Sequence, residues 1–140
     1  MFIVENREIG IIVADGSFLA FDLPIANLWS KIAYVKIVQL TNGPMEIDFD
    51  IVESDIFFDP VDRTTFFLRK YRRSISMGAL EGAEYGEALS PAVPYKDRNA
   101  VEGYDETRAR ALHCRLTNRL GGTDSDFDVS VTLADIGEDA

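Results

Sequence analysis

The chain has 140 residues, 46% of them hydrophobic, with a mean hydropathy of -0.04 and a formal net charge of -10. That length suits a single domain, 1–140, able to bury roughly two-thirds of its unfolded surface without disulfides or metal. Its acidity argues against a nucleic-acid partner, which needs a basic face, and no apolar run approaches the roughly 18 residues of a membrane span.

Glu8 to Ala14, then Asp15-Gly16, then Ser17 to Asp22 predict a first β-hairpin, because Asp-Gly between two apolar runs is a strong turn signal. Leu23-Pro24 ends it, and Pro24 to Ser30 is expected as a loop or one helical turn, with Leu28 and Trp29 over an end of the core. Ile32 to Leu40 runs into Thr41-Asn42-Gly43-Pro44 and returns as Met45 to Val52. In the return, Met45, Ile47, Phe49 and Ile51 alternate with Glu46, Asp48 and Asp50, the period of a strand with one face in a core and the other in water. A second hairpin is expected there.

Ser54 to Asp62 reads as a loop pinned by Ile56, Phe57 and Phe58 and carrying Asp55, Asp59 and Asp62. Thr64 to Tyr71 is rich in β-branched and aromatic residues, as strands are, and ends in the densest basic stretch, Arg69-Lys70-Tyr71-Arg72-Arg73. From Gly78 to Asp105 no apolar periodicity connects Gly82, Gly86, Pro91, Pro94 and Gly103. Residues 78–105 are therefore expected as one long irregular loop or arm, a length that in a compact domain tends to be functional or disordered. Glu106 to Arg110 fits a short helix, but Arg108 to Leu116 also alternates as a long strand; Arg119 to Asp126 is a loop, and Phe127, Val129, Val131 and Leu133 face inward from a last strand. Residues 134–140 form an acidic tail.

Charge is unevenly spread. Residues 1–62 carry 3 basic and 11 acidic side chains, residues 63–119 carry 11 and 7, and residues 120–140 carry 6 acidic and none basic. Either opposite patches meet between copies and steer them together, or the segments interleave in the fold and cancel.

Leu40-Thr41-Asn42, a Gly-containing turn and Asp48-Phe49-Asp50-Ile51 are echoed by Leu116-Thr117-Asn118, a Gly-Gly turn and Asp126-Phe127-Asp128-Val129. Two equivalent units, each with a Leu closing the core and an Asn that tolerates the turn, are one reading. With the other runs they give about seven strands, an all-β antiparallel sandwich of jelly-roll or Ig-like type. The stretches Val35 to Ile51 and Arg115 to Val131 resemble the strand, Leu-Thr-Asn, turn, strand units of small β-sandwich accessory proteins of tailed bacteriophage particles: capsid-decoration, head-fibre and tail-associated modules. That resemblance implies a virion location and binding to a capsid or tail scaffold; Met1-Phe-Ile-Val-Glu-Asn-Arg lacks the basic start and apolar core of a secretion signal, so synthesis in the host cytoplasm is expected.

Few side chains suggest chemistry. Cys114 sits in an alternating run and reads as a buried structural thiol. His113 is the only histidine, and its neighbour Cys114 points to the opposite side of a strand, which prevents joint metal ligation. No Gly-x-Ser-x-Gly elbow occurs, so no catalytic residue is expected. Asp124, Asp126 and Asp128 have a spacing that suits calcium but lack the Gly and terminal Glu of an EF-hand. Arg69, Lys70, Arg72 and Arg73 with interleaved Tyr71 suit a protein contact, where Arg and Tyr are enriched. The expectation is a non-enzymatic homo-oligomer on a larger scaffold, burying the 78–105 stretch between chains and setting residues 69–73 against acidic loops. The alternative is a calcium-assisted carbohydrate-binding module using Asp124, Asp126 and Asp128 with exposed Tyr85, Tyr95 and Tyr104.

Overall fold

Alternating runs that each hide one face need a second such layer to hide against, and the chain supplies two. The computed structural model describes residues 3–25, 29–40, 45–53, 69–77, 83–96, 111–120 and 125–135. Its strands are β1 (Ile3–Val13), β2 (Phe18–Pro24), β3 (Trp29–Gln39), β4 (Met45–Val52), β5 (Arg69–Met77), β6 (Glu84–Lys96), β7 (Ala111–Leu120) and β8 (Ser125–Asp135). They pair antiparallel in two four-stranded sheets, the first in the order β1-β8-β3-β6 and the second in the order β2-β7-β4-β5. Every pair of chain-consecutive strands except β4 and β5 is divided between the two sheets. This interleaved order is that of a jelly roll.

The topology corrects both expected hairpins. Asp15-Gly16 does form a tight turn, with the Ser17 amide donating to the Ala14 carbonyl at 3.0 Å and Gly16 at φ 72°. Positive φ there favours glycine. The strands leaving the turn enter different sheets, however, β1 beside β8 and β2 beside β7. The same division separates β3 from β4, whose connecting residues 41–44 lie outside the described residues. A short turn serves equally to pair two strands or to carry the chain over the core edge, and the partner is chosen by the distant strand that buries more apolar surface.

The core lies between the sheets. Ile11, Val13, Ile32, Val35, Ile37, Phe127, Val129, Val131 and Leu133 enter from the first, and Leu23, Ile47, Phe49, Ile51, Leu112, Cys114 and Leu116 from the second. Phe49 is fully buried, stacked on Phe21 at 6.4 Å and edge-on to Tyr71 at 6.0 Å. Side chains of this kind stabilise by about 1.5–3 kcal/mol each when buried. Cys114 is buried, as its alternation implied.

Register shifts set which side chains face out. On β3 the register slips between Ile32 and Tyr34 against both neighbours, so that Ile32 and Val35 both point inward while Tyr34 is 38% exposed. A bulge of this type re-aims side chains. On β7 a slip leaves Arg119 between the partners of Glu46 and Ile47, and on β5 a slip leaves Lys70 between the partners of Ile51 and Val52.

Residues 84–96, expected as part of an irregular arm, are instead the 13-residue edge strand β6. Pro91 and Pro94 are tolerated because an edge strand has one side without ladder partners. Its alternation escaped notice because Glu87 is among its half-buried positions and Gly86 and Ala88 are among its exposed ones. The equivalence of the two Leu-Thr-Asn units also fails. Leu40 is 40% exposed whereas Leu116 is fully buried, and the first unit passes from the first sheet to the second while the other passes back. The expected strand over Thr64 to Tyr71 begins, within the described residues, at Arg69 and runs to Met77.

Candidate functional site

Three groups of polar side chains stand out. The first covers the outer face of the second sheet, where acidic β4 lies between basic β5 and basic β7. Arg72 donates to both oxygens of Asp50, at 3.0 and 3.2 Å, and to Asp48 at 3.3 Å. Asp48 also accepts from Ser74 at 2.7 Å and from Arg119 Nε at 3.0 Å, and Arg115 approaches Asp50 at 3.9 Å. Lys70, at its bulge, meets Glu53 at 2.9 Å. Arg115 also lies over the Phe18 ring, 5.1 Å from its centre. Among the described residues, acids of the early segment at β4 thus pair with bases of the middle segment on β5 and β7 within one chain.

The second group joins the sheets at one edge. Glu87 on β6 accepts from Arg73 on β5 twice, Nη2 to Oε2 at 2.7 Å and Nε to Oε1 at 2.8 Å. The Tyr71 and Tyr85 hydroxyls donate to the same Oε1, each at 2.8 Å. Arg73 holds the Glu87 carboxyl down to about 2, with the two tyrosines adding to the effect against partial burial. Burial, then the bond to Glu87, pushes the Tyr71 hydroxyl well above its usual range. A carboxylate with four donors is an acceptor already saturated.

The third group lies on the outer face of the first sheet. Asn6, Glu8, Tyr34, Lys36, Val38, Asp128, Ser130 and Thr132 line a depression of about 370 Å³. Around it sit Val4, 55% exposed, and Ile12, 66% exposed, at opposite ends of β1, with Leu40 beyond the end of β3. Ile12 is the partner of Asp126, and the Leu40 amide donates to the Asp126 carbonyl at 2.9 Å, so Ile12 and Leu40 flank Asp126 at one end of the sandwich.

The residues expected to bind partners are dispersed. Lys70, Arg72 and Arg73 form the ion pairs just given, and Tyr71 is buried at 3% exposure. Arg69 belongs to β5, paired with Val52. Tyr85 is half-buried on Glu87. Tyr95, expected to be exposed, is buried, its hydroxyl donating to the Ala111 carbonyl at 3.0 Å and accepting from the His113 amide at 3.1 Å. Tyr104 and Asp124 lie outside the described residues, as do Asp55, Asp59 and Asp62. Asp126 and Asp128 are both on β8, and among the described residues no three His, Cys, Asp or Glu side chains gather as a metal would require. His113 is buried and its Nδ1 lies 2.8 Å from Asp22 Oδ1. Burial raises the Cys114 thiol well above its usual range.

Arg115, Arg119, Glu87 and Tyr34 were not singled out from sequence. Acidic alternation in Met45 to Val52 was the available signal for the first two, since a charged strand face needs a partner of opposite sign beside it.

No protein-family model matches the chain, and no curated protein matches it. Among solved structures it is similar to the Bacillus endospore appendages described as a novel family of disulfide-linked pili, at 10% identity, over 96% of this chain and 88% of that one, with a TM-score of 0.38. It is also similar to the decameric BFDV capsid protein, at 10% identity, over 96% of both chains, with a TM-score of 0.37. Both are structural proteins in their own settings, and likenesses this slight carry no conclusion about what this chain binds. The resemblance to phage accessory proteins is matched by no family model.

Proposed function

We propose that this jelly roll is a non-enzymatic structural protein, a virion accessory component of the capsid-decoration or head- or tail-associated kind, acting by assembly with its own copies and with a larger scaffold. The observation that carries the proposal is the pair of aliphatic side chains, Ile12 and Leu40, left in water at one end of the sandwich. Exposed aliphatic groups at one end of an otherwise polar face, here from β1 and from the end of β3 on either side of Asp126 of β8, suit a contact surface. The internal pairing of Lys70, Arg72 and Arg73 moves the expected contact away from the basic segment, so the association is apolar and resists salt.

Sizing chromatography of Ile12→Asp and Leu40→Asp beside the unaltered chain tests this. Assembly predicts that the unaltered chain elutes as a multimer and that each variant elutes as a monomer with an unchanged melting temperature. Variants that remain multimeric would remove this end of the sandwich from the interface.

A further inference from the structure

The depression on the first sheet has a simple origin in register. Rows run across β1, β8 and β3 as Asn6, Thr132, Tyr34, then Glu8, Ser130, Lys36, then Gly10, Asp128, Val38. Central β8 presents the short Ser130 and Thr132 between longer neighbours, so the face sinks in the middle to a volume of about 370 Å³. That is within the range of small-ligand sites.

Tyr34 forms one wall. A Cβ built on Gly86 of β6 would collide with the Tyr34 hydroxyl, so the missing side chain at 86 is what allows the ring to lie along the sheet. The ring remains 38% exposed. The rest of the lining and the Tyr34 hydroxyl supply hydrogen-bonding groups. Among the described residues, the Glu8 and Asp128 carboxylates and the Tyr34 hydroxyl have no hydrogen-bond or ion-pair partner. The Asn6 Oδ1 accepts from Ser130 at 2.8 Å and Thr132 at 3.5 Å, which leaves its amide NH₂ as a donor. Lys36 is balanced by Glu84 at 3.8 Å.

These groups select a ligand by exclusion. A phosphate or sulfate would meet two carboxylates against the single Lys36, itself beside Glu84, and be repelled, whereas a cation would pair with the carboxylates but face Lys36 across the same depression and leave the Asn6 amide NH₂ without an acceptor. A wholly apolar ligand would strip those carboxylates of water and return no hydrogen bond. A neutral ligand with many hydroxyl donors and one apolar C–H face satisfies both the ring and the polar groups. We infer that the outer face of the first sheet, with Tyr34 as platform and Asn6, Glu8 and Asp128 as hydrogen-bonding groups, is a binding site for a neutral saccharide that needs no metal ion. This differs from a calcium-assisted site in its aromatic, in its additional polar groups and in its indifference to calcium. Ile12 and Leu40 lie beyond the last of the three rows, so the site and the assembly contact are separate and their tests independent.

The test is binding of the full chain to an array of neutral and acidic glycans in buffer containing EDTA, followed by titration of whichever glycan binds. At least one neutral glycan is expected to bind in EDTA. Tyr34→Ala should weaken it about tenfold, Tyr34→Trp should retain it, and Gly86→Val should weaken it by displacing the ring. Tyr34 is at the surface, so the melting temperature of Tyr34→Ala should be unchanged and that variant decides the matter if Gly86→Val folds poorly. The inference is overturned by an array on which no neutral glycan binds, by binding confined to acidic glycans, by a requirement for calcium, or by undiminished affinity in Tyr34→Ala.

Discussion

Arg73 and Glu87 face each other across the edge of the jelly roll, one from each sheet, in a two-point contact of 2.7 and 2.8 Å that is the most densely bonded polar link between the layers among the described residues. Because Glu87 is held at about 2, well below the usual carboxylate range, it contributes stability that is complete above about pH 4.5 and is lost as pH falls toward 2. Allowing for the exposure of Arg73, its contribution is about 2 kcal/mol. Glu87→Gln is expected to lose about that much at neutral pH and to flatten the acid limb of the stability curve between pH 4.5 and 2. Urea melts at several pH values measure it, and parallel acid limbs for the two proteins would contradict the assignment.

Asp50 is 1% exposed and faces cations on both sides, Arg72 on β5 and Arg115 on β7. Replacing it removes a buried carboxylate from between Arg72 and Arg115, the latter's side chain only 13% exposed. Asp50→Ala should therefore cost about 3 kcal/mol. Arg72→Ala should cost about 1 kcal/mol, since that side chain is 39% exposed and Asp50 keeps its other neighbour. Chemical denaturation of both variants gives the comparison, and equal costs would mean that the outer face is solvated more freely than its burial implies.

The layers were legible in the sequence, and their connections were not. Ile47, Phe49 and Ile51 alternate with acids, and Phe127, Val129, Val131 and Leu133 alternate with polar residues, so inward faces could be read directly. Asp15-Gly16 reports a turn but not its destination, because pairing is decided by β7 and β8 from the far end of the chain. β6 was hidden by Gly86, Pro91 and Glu87, each of which lowers strand propensity locally and is accommodated only by position: an exposed site, an edge, and a partner in Arg73. The depression was invisible for a related reason. Tyr34 alternates outward with Val35 and Ile37 inward, but the slip that also turns Ile32 inward breaks the period beside it, and a slip leaves no mark in hydropathy.

Cys114 is fully buried, its thiol raised by desolvation, and its Sγ lies 3.7 Å from the Leu112 carbonyl. It should not react with a thiol reagent at pH 8 in the native state and should react at the rate of unfolding in denaturant. Immediate native labelling would show that the second sheet opens locally far more often than its packing permits.

The mass of the particle in solution tests assembly most directly. Sedimentation equilibrium of the unaltered chain, in low and in high salt, should return a multiple of 15.6 kDa that salt does not reduce. A mass of 15.6 kDa at every concentration and in both salts would contradict assembly through Ile12 and Leu40 and leave the proposed function without its support.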